Sequence, residues 1–499
     1  MQLVAYGAQD VYLTGNPQIT FWKVVYRRHT NFAVESIEQV FNGSADFGKK
    51  VVCQIQRNGD LISKMYLRVS LPALNAGLSW TPKVGHAMIK TVELNIGGTP
   101  IDKHYGDWMN VWYELARKFA HDRGYDEMIG NTAALTASTA GTSAATLYVP
   151  LYFFCCRNDG LALPLIATQY HDTRVEVEFQ PVAQLLCGTG AASASAQMGT
   201  CSLFVDYVYL DSEERKKFAQ ASHEYLIEQV QFTGAESVAA GTSNSKFRLN
   251  FNHPCKALYW NLQADRFTTG KSFLAFNPRD WNATQVLATK RAALAWGTIT
   301  TGSLITATGS TALATAITAS KCVITTDLSL NGAANDVDSV IILGDLLPMS
   351  LVSTPVSELV TTGLTRATVG EGAAGSDVVV RQWDNYSMNL NRTTNPVSAV
   401  LLQLNGQDRF SKRDGAYFNY VQPWQCHSNT PTDGVNMFSF ALNPEEHQPS
   451  GTCNMSRIDN ATLNLDFAVG VTAGKCNIYA TNYNVLRIMS GMAGLAYSN

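Results

Sequence analysis

The sequence predicts an all-β protein: two tandem β-sandwiches, each long enough for a jelly roll, with a few short helices and long loop insertions. Three observations lead there. Apolar and polar residues alternate with a period of two along many short segments, the mark of half-buried strands. Charged side chains make up only 15% of the chain, against roughly 25% in ordinary soluble domains, and uncharged polar residues suited to turns take up the difference. The chain also repeats itself, in diverged form, on either side of a short charged segment.

The alternation is explicit in four places. Met65, Leu67, Val69 and Leu71 interleave with Lys64, Tyr66, Arg68 and Ser70. Val175, Val177 and Phe179 interleave with Arg174, Glu176 and Glu178. Phe247, Leu249 and Phe251 form a third set, and Leu463, Leu465 and Phe467 a fourth. A one-residue slip would turn each apolar set to water, so these patterns fix register. Helices are few. Trp108, Val111, Trp112, Leu115 and Phe119 share one helical face. A second helix is predicted from Ser212, whose hydroxyl can cap it, with Glu213 and Glu214 at the positive end of its dipole.

The repeat runs in order through both halves. Ile37-Glu38-Gln39-Val40 recurs as Ile227-Glu228-Gln229-Val230, an offset of 190. Met65-Tyr66 matches Leu258-Tyr259, an offset of 193. The strand Glu93–Ile96 with Gly97-Gly98 matches Leu401–Leu404 with Asn405-Gly406, an offset of 308, and an aromatic helix-like stretch follows each. Tyr152–Phe154 resembles Phe438–Phe440, Val175–Phe179 resembles Leu463–Phe467 at an offset of 288, and Cys201–Tyr207 resembles Cys476–Tyr483. The jump from 193 to 308 places about 115 extra residues in the second copy, and the fall to 288 places about 20 extra in the first, near Asn131–Thr146. The chain therefore divides into an arm (1–30), a first sandwich (31–211, insertion about 131–146), a helical connector (212–222) and a second sandwich (223–499, insertion about 283–377).

Composition narrows the function. The net charge is −3 and no Lys/Arg run occurs, so direct binding of nucleic acid is not expected. Ten cysteines are scattered without a CxxC pair and read as free thiols of a reducing compartment. The opening residues lack the basic and apolar regions of an export signal. The two long uncharged stretches, Asn131–Cys156 and Gly297–Ser320, are Thr/Ser/Ala/Gly-rich rather than apolar and predict no membrane span.

Catalytic and metal signatures are poor. His223-Glu224 opens like a zincin helix, but Ile227 stands where the second histidine belongs. Gly188-Thr189-Gly190 lacks the third glycine of a dinucleotide loop, and no GxxxxGK[ST] occurs. Cys426, His427, His447 and Cys453 fit no zinc spacing. No catalytic residue, metal or cofactor is predicted. Pro444, Pro449 and Gly451 bracket Glu445-Glu446-His447 as a turn with a locally bonded histidine, with a subunit-contact loop as the other reading. Lys23, Arg27, Arg28 and His29 form a small basic cluster, either a solvated face or a contact for acidic lipid or a partner protein. Sequons stand at Asn42, Asn282, Asn385, Asn391, Asn454 and Asn460, with Asn282, Asn385 and Asn391 the candidate glycan acceptors.

Longer matches go further. Val4-Ala5-Tyr6-Gly7-Ala8-Gln9-Asp10, Leu13–Phe21 and Tyr26–Phe32 resemble the N-terminus of major capsid proteins of nucleocytoplasmic large DNA viruses. Arg409–Gly415, Phe440–Thr452, Asn484–Ile488 and Gly494–Asn499 extend the resemblance through the second half. The inserts lie outside it. The resemblance implies two tandem jelly rolls and a homotrimer of pseudo-hexagonal outline. It implies neighbouring capsomers, minor capsid proteins and an inner viral membrane as partners, and a virion assembled in the host cytoplasm. Lys23, Arg27 and Arg28 would then face the shell interior. Three other readings are a carbohydrate-binding jelly-roll lectin, a minor or penton-type capsid component and a secreted sandwich enzyme. The lectin lacks a visible aromatic or metal-binding face, and the enzyme a catalytic constellation.

Overall fold

The computed structural model describes residues 7–264 and 395–497, except 76–77, 82, 119–120, 137–141, 189–195, 469–470 and 472, together with four strands between 283 and 382. The first sandwich has eight main strands: β1 Phe32–Val40, β2 Lys50–Gln54, β3 Leu61–Leu71, β4 Ile89–Ile96, β5 Thr99–Tyr105, β6 Ala145–Pro150, β7 Thr173–Phe179 and β8 Cys201–Leu210. The second has eight more: β9 His223–Phe232, β10 Asn244–Arg248, β11 Pro254–Ala264, β12 Val397–Leu404, β13 Gln407–Asp408, β14 Asn436–Ser439, β15 Ala461–Phe467 and β16 Gly474–Met489. The first forms sheets in the order β1-β8-β3-β6 and β2-β7-β4-β5, and the second β9-β16-β11-β14 and β10-β15-β12-β13. Every second-sandwich number is its counterpart plus eight, and all these pairings are antiparallel. This is the jelly-roll order, twice.

The predicted alternation sets the burial. Met65, Leu67, Val69 and Leu71 fill the first core, and Leu463, Leu465 and Phe467 the second. The β4–β5 hairpin turns through Gly97 (φ 60°) and Gly98 (φ 84°), and β12–β13 through Asn405 (φ 52°) and Gly406 (φ 80°). Two consecutive left-handed residues are what a two-residue type I′ hairpin requires, and Gly and Asn enter that region at least cost.

The ladders test the repeat. Leu94 faces Val175 and Leu402 faces Leu463, so the offsets of 308 and 288 hold residue for residue. Tyr66 faces Phe204, which faces Glu38. Tyr259 faces Tyr479, which faces Phe232. The first strands are therefore offset by 232 − 38 = 194, in keeping with 193 in the third strands. The Ile37–Val40 match at 190 has the right strands but is four residues out of register, because four alternating residues recur by chance on any strand.

The insertions also resolve. The β11–β12 connection has 132 residues and β3–β4 has 17, a difference of 115. Within the former, Ala283–Lys290 pairs Asp377–Gln382, and Cys322–Thr325 pairs Ser339–Ile342. The first-copy excess falls in the β5–β6 connection, which spans 106–144. Thr146 is already inside β6, and the β5–β6 connection carries α1 (Gly106–Ala116) and α2 (Asp122–Ile129). Phe119 lies outside the described residues. In the connector helix, α3 (Ser212–Gln220), extended Asp211 holds the N-cap position without a side-chain capping bond, and Ser212 is the first helical residue. Among the described residues no helix is long and apolar enough to cross a membrane.

Candidate functional site

The chemistry of this chain is concentrated where the two sandwiches meet. Helix α1 leaves β5 at Tyr105, with Asp107 in its first turn. Its buried face carries Trp108, Val111, Trp112 and Leu115. Part of that face lies on the outer surface of sheet β9-β16-β11-β14. Trp108 stands edge-on to Tyr259 at 5.1 Å and tilts against Tyr479 at 5.4 Å, while Tyr105 meets Phe232 at 4.9 Å. Each such pair contributes about 0.5–1.5 kcal/mol beyond its burial. Tyr259, Tyr479, Met437, Leu486 and Ile488 thus belong to one apolar cluster with the first sandwich.

A buried ionic cluster closes the joint. Arg157 Nη1 lies 2.8 Å from Glu228 Oε2, with its guanidinium 4.3 Å above the Trp112 ring. Lys256 Nζ donates to Glu228 Oε1 at 2.9 Å and to the Glu446 carbonyl at 2.8 Å. His447 Nδ1 lies 3.4 Å from the same carboxylate oxygen. Burial alone would raise the Glu228 carboxyl; Arg157, His447 and Lys256 outweigh it and hold the group at about 2. Burial also pulls Lys256 down, against the pull of Glu228. Beside the cluster opens a cleft of about 670 Å³, lined by Tyr66, Trp112, Tyr152, Arg157, Glu228 and His447 among others.

Further hydrogen bonds cross the joint. Thr432 donates to Glu114 from Oγ1 (2.8 Å) and from its amide (3.2 Å), and Val230 N donates to Asp102 at 3.1 Å. Gln229 Nε2 donates to the Ile101 carbonyl. At the far edge, Met492–Leu495 adds to β16, Tyr170 N donates to the Gly491 carbonyl at 3.0 Å, and His171 meets Ala493.

The second feature is the arm. Between a five-residue helix, Asp10–Thr14, and β1 it carries Phe21 (87% exposed), Trp22 (96%), Val25 and Tyr26 (84%). Lys23, Arg27 and Arg28 are interleaved with them, exposed, and have no carboxylate in ion-pair range among the described residues. So large an apolar run facing water is the kind of patch that characterises interaction surfaces.

The remaining predicted residues distribute as follows. His427 bonds Glu445 (2.8 Å) and Tyr259 (3.3 Å), whereas His447 goes to Glu228. Neither histidine thus converges with the other or with Cys426 and Cys453 on one metal position, and no metal-holding group occurs among the described residues. The histidine of the Pro444–Gly451 turn is not locally bonded as expected: its partner is Glu228, a distant residue on β9. Eight of the cysteines, among them Cys53, Cys255, Cys453 and Cys476, are free thiols, with burial raising Cys53 to about 11. Asn282, Asn385 and Asn391 lie outside the described residues. Sequence reasoning missed the Arg157–Glu228–Lys256 cluster. Its one visible signal was Lys256, a lone cation inside the apolar run Cys255–Trp260.

Two eight-stranded jelly rolls of one strand order, locked through a buried joint, define a double jelly-roll protein of the virus-shell class. Comparison with known proteins gives the family. The description "Large eukaryotic DNA virus major capsid protein" matches residues 214–494, and "Major capsid protein N-terminus" matches residues 20–211. The major capsid protein of Phaeocystis pouchetii virus is 45% identical, covering 100% of this chain and 99% of that protein. That of Paramecium bursaria Chlorella virus 1 is 39% identical at the same coverage. A quasi-atomic model of the PBCV-1 virus capsid superposes with a TM-score of 0.67 at 34% identity, covering 96% of this chain and 100% of that one. The Faustovirus major capsid protein shares the fold, with a TM-score of 0.66 at 12% identity. The chain belongs to the large eukaryotic DNA virus major capsid protein family, and it is a structural protein of the virion capsid.

Proposed function

We propose that three copies of this chain form a homotrimeric capsomer of pseudo-hexagonal outline, and that such capsomers tile an icosahedral shell. The observation that carries this reading is the common strand order of the two sandwiches: three chains bring together six units alike in fold, which suits closed ring symmetry. Light scattering on the purified chain should give three times 54.4 kDa, and electron microscopy a threefold particle of hexagonal outline. A persistent monomer at micromolar concentration overturns the proposal.

In this reading residues 1–30 are an inner arm, 31–211 and 223–499 are the two shell-forming units, and 212–222 joins them. Lys23, Arg27 and Arg28, with Phe21, Trp22 and Tyr26 between them, meet minor capsid proteins or the acidic surface of an inner viral membrane. Assembly takes place in the host cytoplasm. The chain works by packing and association rather than catalysis, takes no cofactor, and leaves the DNA to other components. Asn282, Asn385 and Asn391 are its candidate glycan acceptors, which mass spectrometry of the virion protein checks.

A further inference from the structure

Lys83 is an unusual core residue. It stands at φ 48°, in the left-handed region that a residue with a Cβ enters at a cost. Its carbonyl accepts from the amides of His86 and Ala87 and so opens the four-residue helix Val84–Ala87. Its side chain runs inward: Lys83 is 5% exposed, and Nζ lies 5.4 Å above the Tyr113 ring. Nζ donates to Asn110 Oδ1 at 2.7 Å and lies 3.6 Å from Glu114 Oε1. Asn110 and Glu114 are one turn apart on α1 and both buried, and Asn110 Nδ2 donates to the same Oε1 at 3.4 Å.

Two features hold the three groups together. Gly106 opens α1 hard against the preceding helix: a Cβ there would stand 2.5 Å from the His86 and Ile89 carbonyl oxygens, so only glycine allows the approach. The other oxygen of Glu114 is fixed from the second sandwich, by Oγ1 (2.8 Å) and the amide (3.2 Å) of Thr432. An amine, a carboxamide and a carboxyl are thereby in mutual contact and kept from water. A hydrogen bond of 2.7 Å onto a carbonyl oxygen leaves the donor nitrogen about 3–4 Å from the carbonyl carbon, close to where reacting groups stand before attack.

We propose that Lys83 and Asn110 join in an isopeptide bond, formed by the chain itself with Glu114 carrying the protons. The Lys83 ammonium first passes a proton to Glu114, which relieves both groups of a charge withdrawn from water. The lone pair of the neutral amine then forms the Nζ–Cγ bond while a carbonyl pair moves onto Oδ1. Glu114 hands its proton to Nδ2, the carbonyl re-forms, and the Cγ–Nδ2 bond breaks with its electron pair on the nitrogen, which leaves as ammonia. The surplus proton on Nζ passes to Glu114 and from there to the ammonia. The products are a secondary amide, a carboxylate and ammonium, and no oxidant, metal or cofactor takes part. The bond ties the turn before β4 to the helix whose Trp108 packs on the second sandwich. Because Thr432 aims Glu114, the bond forms only once the two halves have docked.

Intact-mass spectrometry of the folded full-length chain checks this. The wild type should be lighter than its sequence by one ammonia, and a protease digest should yield a branched peptide joining Lys83 to Asn110. Glu114→Gln keeps the shape and removes the proton carrier, and Lys83→Met removes the nucleophile. Each should keep the full mass of its own sequence and yield the two peptides unlinked. A folded wild type at full mass overturns the proposal. So does an ammonia loss that maps elsewhere, such as a cyclic imide at Asn405-Gly406. A branched peptide in Glu114→Gln overturns the role of Glu114 and leaves the bond standing. Should a variant fail to fold, the wild-type mass and the branched peptide still decide.

Discussion

Arg157, at the end of a short helix in the first sandwich, reaches Glu228 on the opening strand of the second at 2.8 Å, and the same carboxylate holds Lys256 at 2.9 Å. Both Glu228 and Lys256 are almost wholly withdrawn from water, so the charges are committed to one another. Glu228→Gln leaves one buried cation, Lys256, and one half-buried cation, Arg157, facing one neutral amide. We expect a loss of about 3–5 kcal/mol, the usual cost of breaking a buried pair from one side. Urea unfolding measures it. A loss below about 1 kcal/mol would show that the cluster is hydrated in solution. The Arg157→Met variant should cost less, because its charge is partly exposed and its removal still leaves Glu228 with Lys256.

Acid should loosen the same joint. The Glu228 carboxyl is held at about 2 in the folded chain, against 4.5 for the free group. A depressed carboxyl contributes stability that is present above 4.5 and is lost as the pH falls through 2. The shift corresponds to roughly 3 kcal/mol. His86 adds to the slope at higher pH. Burial, helped by Lys83, lowers it from 6.5 to about 3, so the unfolded chain takes up its proton first and stability declines from pH 6.5 downward. Midpoints of urea unfolding should fall from pH 7 to pH 3, and Glu228→Gln should flatten the part below 4.5. An unchanged slope in that variant would remove Glu228 from the account.

Deleting residues 1–30 should leave folded trimers that assemble poorly. Among its described residues the arm adds no buried side chain to either core, so thermal unfolding of the shortened chain should match wild type. Assembly should fail because Phe21, Trp22 and Tyr26, each more than 80% exposed, form an apolar patch of the kind that interaction surfaces present. Particle yield in a virus carrying the deletion is the measurement, and normal yield would refute the role.

Much of this was legible in the residues. Period-two alternation gave the strands, because a half-buried strand must alternate, and Val175 and Leu463 fall in register at the predicted offset. Hairpin chemistry at Gly97-Gly98 and Asn405-Gly406 survives divergence because left-handed backbone restricts the choice of residue. The Ile37 match misled by four residues because a short alternating stretch carries no such restriction. The joint was not legible. Arg157 and Glu228 are 71 positions apart, and nothing local distinguishes a buried charge from a solvated one. Trp108 and Trp112 read correctly as a helix face, but whether that face serves its own core or a neighbouring sheet depends on tertiary packing.

The 115-residue excess between β11 and β12 should be removable. A jelly roll accepts additions only where strands turn, since an insertion within a strand would break its ladder. The excess meets that condition: from Ala257 β11 runs in register to Ala264 against β16, and β12 starts at Val397 against β15. Within the excess Cys322–Thr325 and Ser339–Ile342 pair with one another, and Ala283–Lys290 pairs Asp377–Gln382 at the base. Nested pairs of this kind bond within the insert, so the main ladders do not depend on them. Low charge and high Thr/Ser content suit an outward-facing crown on the capsomer, and would suit a buried trimer contact almost as well. Replacing Thr284–Asp377 with a short Gly/Ser linker should therefore leave the trimer mass per chain lower only by the deleted residues, with the protrusion gone in electron microscopy. Loss of the second sandwich in that variant, seen as protease sensitivity around β12 and β15, would show that the insert is part of the core it interrupts.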